Sequence, residues 1–170
     1  VLRDLATQEG AFAYEYTGYL ANIYSVETYY RSNIDMLESK KFYSLFSPNQ
    51  KIYTKVKNEE PTYYAESSKV SRSQFASGSI VEGEVINSVI SRNTKIKTGS
   101  SVKHSVLFPR VKVGENATVE YAIVDKGVEI GEGVVIRGTA EDPIVVKKGQ
   151  KVTEDIIRWR FYLQQQKEPH

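Results

Sequence analysis

Three consecutive copies of a 17-residue unit fill the middle of the chain, between Asn87 and Ile136. When the copies are aligned, large aliphatic residues recur at three positions of each unit, at steps of six, six and five residues. These nine residues are Ile90, Leu107 and Val124, then Ile96, Val113 and Ile130, then Val102, Val119 and Ile136. Each is preceded, two positions earlier, by a small or β-branched residue: Ser88, Ser105 and Ala122, then Thr94, Val111 and Val128, then Ser100, Ala117 and Val134.

Each six-residue step, with one large and one small inward residue, suits a short strand followed by a turn. Three residues after the middle aliphatic position come Gly99, Asn116 and Gly133, which are residue types that tolerate positive φ at a corner. Three such strands close a triangular coil, and stacked coils bury the aliphatic columns. An ordinary antiparallel sheet leaves the 17-residue period unexplained. The pattern therefore predicts a mainly β fold, a parallel β-helix built from hexapeptide repeats.

We expect this β-helix to occupy residues 77–153. Ile80 and Ile86 lie six residues apart and indicate an opening coil. Val146 and Val152 repeat that spacing and indicate a partial last coil.

Residues 1–46 show a different pattern from the repeats. Val1–Glu9 is predicted to be helical, and the alternating aromatics of Phe12–Tyr16 predict a strand. Ser25 is a predicted N-cap, with Glu27 in the first turn of the helix that follows. Helical spacing of apolar residues then predicts an amphipathic helix over residues 26–38.

Two further segments flank the predicted β-helix. Residues 47–76 lack periodicity and are predicted to form a linker, with a short extended piece at Ile52–Val56. In residues 154–170, Glu154–Gln166 has the spacing of an amphipathic helix. We expect this helix to cap the last coil, because terminal units of solenoids are capping units. A role as a dimerisation helix is the alternative.

Composition limits the classes of function. The 170 residues are 40% hydrophobic and 26% charged with a net charge of +2, which is typical of a globular chain. The basic residues are dispersed, which argues against nucleic acid as a main partner. The chain has no cysteine, which excludes disulfides, and no apolar run approaches the ~20 residues that cross a bilayer. We therefore expect a cytoplasmic chain that binds neither nucleic acid nor membrane.

His104 is the one internal histidine and the natural candidate for a catalytic base. Hexapeptide acyltransferases use a histidine in this way, so one hypothesis is acyl transfer through His104, with acyl-CoA binding and trimers. A general base needs an orienting partner and a substrate cleft, and the repeat around His104 contains no inserted loop to build one. The sequence contains neither a phosphate-cradling glycine motif nor a metal-ligand spacing of His or Cys.

A more specific resemblance comes from longer stretches. Gly18–Leu37 (GYLANIYSVETYYRSNIDML) is similar to the end of the nucleotidyltransferase domain of ADP-glucose pyrophosphorylases, the glucose-1-phosphate adenylyltransferases. Phe42–Thr54 resembles the linker of that family, and the run from Ser77 to Ile136 resembles its C-terminal β-helix, which coils left-handed. The resemblance implies that residues 1–46 are the α/β tail of a nucleotidyltransferase domain.

The chain departs from the family pattern at three positions. Asn22 stands where the family has an aspartate that helps to hold the catalytic Mg²⁺, and an amide lacks the charge that a hard cation favours. Tyr24 and Ser25 stand where the family has glycine and threonine. The resemblance is thus nearest to the non-catalytic, GlgD-type glycogen biosynthesis subunits, with Asn22, Tyr24 and Ser25 as a degenerate sugar and metal site.

The resemblance implies a regulatory or assembly role. The β-helix would associate with a catalytic ADP-glucose pyrophosphorylase subunit in a homo- or hetero-oligomer, a tetramer by analogy with the family. This segment would bind no cofactor of its own and catalyse no reaction alone, and Mg²⁺ would be held by the catalytic partner. An active sugar-nucleotide pyrophosphorylase of the same fold is the alternative.

Overall fold

The structure, a computed structural model, describes residues 14–46, 52–53 and 57–158. Helix α1 (Val26–Asp35) and helix α2 (Ser39–Leu45) precede a series of short strands. The strands are β1 (Tyr63–Tyr64), β2 (Lys69–Ser71), β3 (Gln74–Phe75), β4 (Ile80–Val81), β5 (Glu84–Ile86), β6 (Val89–Ile90), β7 (Lys95–Ile96), β8 (Ser101–Lys103), β9 (Val106–Leu107), β10 (Lys112–Val113), β11 (Thr118–Glu120), β12 (Ala122–Val124), β13 (Glu129–Ile130), β14 (Val135–Arg137), β15 (Ile144–Val146), β16 (Lys151–Val152) and β17 (Ile156–Ile157).

Every third strand belongs to the same parallel sheet, so the chain winds as a β-helix with three faces. Sheet 1 has the strand order β1-β4-β7-β10-β13-β16, sheet 2 the order β2-β5-β8-β11-β14-β17, and sheet 3 the order β3-β6-β9-β12-β15. The predicted fold class is therefore confirmed: parallel sheets form a hexapeptide-repeat solenoid with few helices.

The aliphatic columns predicted from the repeat form the core. In sheet 1, for example, Val113 pairs with Ile96 on one side and Ile130 on the other. All nine predicted large residues are at most 3% exposed, and the nine smaller residues that precede them are also buried. Burial of each large side chain contributes about 1.5–3 kcal/mol of transfer free energy. The three buried aliphatic columns therefore make a large favourable contribution to the stability of the solenoid.

The corners of the coils follow the predicted turn chemistry. Gly99, Asn116 and Gly133 all have positive φ, as expected. A second corner also turns through positive φ, at Asn87, His104 and Tyr121, and this corner was not predicted.

The β-helix begins earlier than residue 77. Strands β1, β2 and β3 lie within the predicted linker of residues 47–76 and form a first coil. The predicted register of the opening coil is also wrong by one residue. Val81 and Val85 face the core at 0% exposure, whereas Ile80 pairs with Lys95 on the outer face. The predicted extended piece at Ile52–Val56 lies largely outside the described residues.

The C-terminal prediction is corrected in part. The predicted partial last coil exists, since β15 pairs with β12 and β16 with β13. The predicted helix Glu154–Gln166, however, cannot begin as expected, because Ile156 and Ile157 form β17 against β14. Ile156 continues the inward column of sheet 2 after Ile136. Residues 159–166 lie outside the described part of the chain.

The N-terminal helix is confirmed with shorter bounds. Ser25 and Thr28 form a capping box, in which each side chain bonds to the backbone of the other residue. Glu27 lies in the first turn, and the helix ends at Asp35 rather than at residue 38. The described part of the predicted Phe12–Tyr16 strand has no regular secondary structure, and the predicted Val1–Glu9 helix lies outside the described residues.

Candidate functional site

Helix α1 packs on the outer face of sheet 3. Along this face an outward column runs through successive strands: Gln74, Val89, Val106, Ile123 and Val145. The apolar side of α1 covers the middle of this column with Tyr29, Tyr30 and Ile34. Val106 and Ile123 are thereby buried, although they point away from the core of the solenoid. The helix and the β-helix thus form one packed unit.

Tyr30 is the centre of this second core. It is 5% exposed, and its hydroxyl donates a hydrogen bond of 2.7 Å to the backbone carbonyl of His104. Burial, with a smaller effect of the nearby Tyr121, raises the pKa of the Tyr30 phenol above its usual range. Tyr29 lies beside it and stacks on Phe108, with ring centroids 6.4 Å apart. These contacts fix the orientation of α1 on sheet 3.

His104 is held by neighbours in its own column of the solenoid. Its ring stacks on Tyr121 at a centroid distance of 4.7 Å, and its Nδ1 lies 2.8 Å from Nδ2 of Asn87. The backbone of all three residues turns through positive φ. The group hydrogen-bonded to the imidazole is thus a neutral amide, and it does not supply the negative charge by which a carboxylate stabilises an imidazolium. This geometry gives His104 a structural role at a corner.

Asn22 lies in a polar groove on the other side of α1. This groove has a volume of about 170 Å³ and is lined by Tyr19, Leu20, Ala21, Asn22, Thr28, Arg31, Ser32 and Asp35. Thr28, Arg31, Ser32 and Asp35 share one face of α1 because they are three, four or seven residues apart. Sequence reasoning missed these helix residues, although their helical spacing next to Asn22 is a signal that could have found them.

The charged groups of the polar groove are already paired. Asp35 Oδ1 lies 2.8 Å from Lys41 Nζ, and the hydroxyl of Tyr19 donates to Asp35 Oδ2 at 3.2 Å. Burial and the adjacent Asp35 raise the pKa of the Tyr19 phenol. Arg31 forms an ion pair with Glu27, one turn away on the same helix, at 2.6 Å.

The three predicted site residues do not share one pocket. Asn22 lines the polar groove, whereas Tyr24 and Ser25 line a separate apolar groove. Tyr24 is 79% exposed. The Ser25 hydroxyl accepts a hydrogen bond from the backbone N–H of Thr28 at 3.1 Å, so it caps α1. Ser25 thus has a structural role whatever else it does.

The polar groove does not have the ligands of a magnesium site. Asn22 offers one neutral oxygen, and both carboxylate oxygens of Asp35 are engaged by Tyr19 and Lys41. Within residues 14–46, 52–53 and 57–158, no cluster of three or more His, Cys, Asp or Glu side chains could hold a metal ion. In that same part of the chain, no helix has the length and apolarity to cross a membrane.

The apolar groove is the larger of the two. It has a volume of about 750 Å³ and lies between the start of α1 and sheet 3, with Asp125 and Lys126 at its rim. Its walls are formed by Ile23, Tyr24, Ser25, Val26, Tyr29, Phe108, Ile123 and Val145. The groove is a surface for apolar contact, since its lining offers few polar groups that could orient a small polar substrate.

Comparison with known proteins places these features in a family. Residues 55–157 match the family model described as "GlmU-like, C-terminal hexapeptide". The glycogen biosynthesis protein GlgD of Bacillus subtilis (strain 168) is 41% identical over 80% of this chain and 40% of its own length. The GlgD of Geobacillus stearothermophilus is 50% identical over 75% of this chain and 37% of its own length.

More distant similarity extends to catalytic enzymes. The glucose-1-phosphate adenylyltransferase of Clostridioides difficile (strain 630) is 34% identical over 59% of this chain and 26% of its own length. The chain spans about two fifths of the GlgD proteins that it matches. Among solved structures, the acetyltransferase domain of PglB from Neisseria gonorrhoeae FA1090, in complex with acetyl coenzyme A, is 17% identical with a TM-score of 0.26 over 58% of this chain and 52% of that chain. That likeness is too low to support an inference.

Proposed function

Because the chain belongs to the family of GlmU-like C-terminal hexapeptide domains, we propose that it is the assembly part of a GlgD-type glycogen biosynthesis protein. In this proposal the β-helix associates with a catalytic glucose-1-phosphate adenylyltransferase subunit, which makes ADP-glucose from ATP and glucose 1-phosphate. The chain regulates that subunit in a cytoplasmic oligomer and contributes no active site of its own.

The observation that carries the proposal is the difference in similarity between the two groups of relatives. GlgD proteins match at 41% and 50% identity over 80% and 75% of the chain, whereas the Clostridioides difficile adenylyltransferase matches at 34% over 59%. The added coverage extends the match beyond the region shared with the enzyme. This favours the GlgD type over the catalytic type.

The geometry around Asn22 supports a weak or absent catalytic activity. A divalent cation on sugar-nucleotide phosphates favours charged oxygen ligands, and the polar groove presents Asn22 and an Asp35 already paired with Lys41. Tyr24 and Ser25 face the other groove. Mg²⁺ would therefore be held by the catalytic partner.

The packing of α1 supports a role in assembly. Helix α1 lies in the stretch that resembles the end of a nucleotidyltransferase domain, and it is fixed on sheet 3 by Tyr30 and its apolar neighbours. A rigid β-helix attached in this way can hold an upstream domain at a constant position relative to a partner bound on its other faces.

The test follows ADP-glucose formation by the intact GlgD-type polypeptide alone, by a catalytic subunit alone, and by their mixture. We expect near-zero activity from the polypeptide alone and a mixture that exceeds the catalytic subunit. Strong activity alone would instead support an active pyrophosphorylase. A mixture identical to the catalytic subunit, with no co-elution on size exclusion, would reject the assembly role.

The contacts of His104 do not favour acyl transfer. Its imidazole is stacked on Tyr121 and bonded to the Asn87 amide, and its carbonyl is bonded to Tyr30. An acyltransferase would bind acyl-CoA and assemble as a trimer. Analytical ultracentrifugation separates that trimer from the dimers or tetramers expected here.

A further inference from the structure

We propose that the outer face of sheet 1 is a self-complementary interface, on which two copies of this chain pack side by side with their solenoids parallel. The two-fold axis runs along the solenoid and passes opposite Val113 and Ile130, the middle residues of β10 and β13 with their neighbours. The pairing of two copies does not depend on the proposed role in glycogen biosynthesis.

The two corners that border sheet 1 carry opposite charges. The corner between sheets 3 and 1, which we call the basic corner, comprises residues 91–93, 108–110, 125–127 and 147–149. Its cations are Arg92, Arg110, Lys126, Lys147 and Lys148, and its one acid is Asp125. The corner between sheets 1 and 2, the acidic corner, comprises residues 82–83, 97–99, 114–116, 131–133 and 153–155. Its acids are Glu82, Glu115, Glu132, Glu154 and Asp155, and its one cation is Lys97.

Most of the cations on the basic corner, and two acids on the acidic corner, have no ion-pair partner within the part of the chain that the structure describes. These residues are Arg110, Lys126, Lys147, Lys148, Glu132 and Glu154. The others that pair do so over longer distances: Arg92 lies 3.9 Å from Glu59, and Lys97 lies 3.5 Å from Glu115. Charges left unpaired on two sides of one face can be matched by a second molecule of complementary pattern.

A second copy has that pattern when it is rotated about an axis parallel to the solenoid. This rotation keeps each coil at the same height and exchanges the two corners, so that the basic corner of one copy faces the acidic corner of the other. In the coil that contains β13, Lys126 of each copy then meets Glu132 of the other. Rotation about an axis parallel to the strands would instead place the basic corners against each other, which like charges oppose.

The next coils match in the same way. In the coil that contains β10, Arg110 faces Glu115, and in the coil that contains β16, Lys147 and Lys148 face Glu154. The charge pattern therefore selects the parallel arrangement over three successive coils.

The shape of the face agrees with its charge. A groove of about 370 Å³ runs along the outer face of sheet 1, and it is lined by Gly114 and Gly131 on one side and by the long side chains of Lys112 and Glu129 on the other. The two-fold rotation places Lys112 of one copy over Gly114 of the other, and Glu129 over Gly131. Sheets that pack face to face lie about 10 Å apart and interdigitate their side chains. Each long side chain thus meets a position that has none.

The match does not extend to the start of the solenoid. In the coil that contains β7, Arg92 of one copy would face Lys97 of the other, and in the first coil Glu59 would face Glu66. The interface is therefore limited to the coils of β10, β13 and β16. We expect a weak dimer that forms at high protein concentration and depends on charge.

Sedimentation equilibrium of the full 170-residue chain, over a series of concentrations at low ionic strength, tests this expectation. The data should fit a monomer–dimer equilibrium. In about 1 M salt, where charges are screened beyond about 3 Å, the dissociation constant should rise about tenfold.

Charge reversal in the coil of β13 tests the arrangement of the two copies. Lys126→Glu or Glu132→Lys alone creates two like-charge contacts in each dimer and should raise the dissociation constant about tenfold. The double variant restores both contacts at the net charge of the parent chain, so its dissociation constant should return to the parent value. An equal mixture of the two single variants should form heterodimers for the same reason. Lys40→Glu, an exposed position on α2, is the matched control and should change nothing.

Four results would overturn the proposal. The first is a monomer at every concentration, and the second is a trimer, because a three-fold ring does not bring two sheet 1 faces together. The third is a double variant or a mixture that stays monomeric while circular dichroism shows folded chains. The last is an equal weakening by Lys40→Glu, which would assign the effect to net charge rather than to this face.

Discussion

At the scale of single residues, buried serines hold one corner of the solenoid together. The Ser105 hydroxyl donates to the carbonyl of Lys103 at 2.7 Å and accepts from the backbone N–H of Ala122 at 3.2 Å. Ser88 makes the same two bonds one coil earlier, to Ile86 and from Ser105. In these two coils the serine hydroxyl satisfies a buried N–H of the next coil, which explains why serine suits this position in them.

Ser105→Ala should therefore lower the free energy of unfolding by about 1–3 kcal/mol, because it leaves the buried N–H of Ala122 without its acceptor. Urea denaturation measures the loss. Ser101→Ala is the control, since the Ser101 hydroxyl bonds to a Glu84 side chain on the outer face and its loss should cost about 0.5 kcal/mol. Equal losses in the two variants would contradict the corner role.

Gly114 and Gly133 are needed for different reasons, the first because a Cβ would clash with the next coil and the second because its φ is positive. A Cβ at Gly114 would lie 2.6 Å from the carbonyl carbon of Gly131 in the next coil, whereas a Cβ at Gly133 would meet nothing within 4 Å. Gly133 does have φ of +68°, which disfavours other residues.

We accordingly expect Gly133→Ala to destabilise the fold by about 1 kcal/mol through backbone strain alone. Gly114→Ala should cost about 3 kcal/mol, because the backbone of a neighbouring coil cannot yield as a side chain can. Thermal unfolding followed by circular dichroism compares the two variants. A larger loss for Gly133→Ala would reverse the assignment.

The residues that the sequence predicted well are those that recur. The nine large aliphatic residues and the turn at Gly99 stand out because a 17-residue period repeats the same physical requirement three times. The positive φ of Tyr121 gave no such signal, because tyrosine is not a marker of left-handed backbone, although Asn87 and His104 at the same corner are residue types enriched there. The candidate site was harder to predict. Asn22 and Ser25 are three residues apart in the sequence, yet they line different grooves on either side of the start of α1.

At the scale of elements, α1 is held in place on the outer face of sheet 3. Its contact depends on apolar packing and on two hydrogen bonds, from the Tyr30 hydroxyl to the carbonyl of His104 and from the Gln74 side chain to the carbonyl of Met36 at the C-cap of α1. The sequence predicted the helix from its periodicity but not the surface that it covers, because the outward valines of sheet 3 belong to a different repeat position from the core.

Tyr30→Phe should loosen α1 without unfolding the solenoid. Loss of the hydroxyl leaves the His104 carbonyl unpaired and should weaken the contact by about 1 kcal/mol. Hydrogen exchange of the α1 amides should then accelerate about fivefold. Tyr43→Phe, which removes an exposed hydroxyl from α2, should change nothing. Equal acceleration throughout sheets 1, 2 and 3 would contradict local opening.

Sheet 2 carries an ion pair that should respond to acid. The ammonium of Lys103 lies 2.8 Å from Oε2 of Glu84, and this contact is the main cause that lowers the pKa of the Glu84 carboxyl. Because the folded-state pKa lies below the ordinary value of 4.5, the stabilisation is fully present above pH 4.5 and is lost as the pH falls through the lowered pKa.

Glu84→Gln should consequently reduce stability at pH 7 and lose less on acidification below pH 4.5 than the parent chain does. Urea midpoints at a series of pH values measure both effects. Glu66→Gln, in an exposed turn, is the control. Identical pH profiles for the parent and Glu84→Gln would show that the pair contributes nothing.

The start and end of the solenoid show where element prediction fails. The coil that begins at β4 is two residues shorter than the period, since Ile80 pairs with Lys95, so this coil and the one before it fall out of step with the 17-residue spacing. After Ile136, the extra residues at 138–143 increase the spacing to the next strand of sheet 3 from 17 to 22 residues. The sequence therefore predicts a helix that includes Ile156, whereas Ile156 lies in β17. Both errors arise because a change of coil length breaks the period without breaking the winding.

At the scale of the whole molecule, the interior changes along the axis. Polar residues fill the small inward positions of the earlier coils, at Ser79, Ser88, Thr94, Ser100 and Ser105. Later coils have Val111, Ala117, Ala122, Val128 and Val134 there. The first coil is also more open than the last, with Tyr64 at 46% and Val70 at 42% exposure, whereas in the last coil Val146 and Val152 are buried and Ile156 is 38% exposed.

We expect local opening to begin at the first coil. A solenoid is stabilised mainly by contacts between neighbouring coils, so coils with less apolar burial open more often. Native-state hydrogen exchange should give the fastest rates in β1–β3 and the slowest in β10–β14. A single common rate across the solenoid would show instead that it opens all at once.

The parallel stacking of strands has a consequence for distance. Neighbouring strands in a sheet are about 4.8 Å apart, so the six strands of sheet 1 span about 24 Å along the axis. The span changes only when a whole coil is added or removed. An insertion shorter than a coil is accommodated at a corner, as residues 138–143 are, and the strands on either side of it still pair. The separation between whatever binds at the two ends of the solenoid is thus counted in coils, and evolution can lengthen or shorten it in steps without redesigning either end.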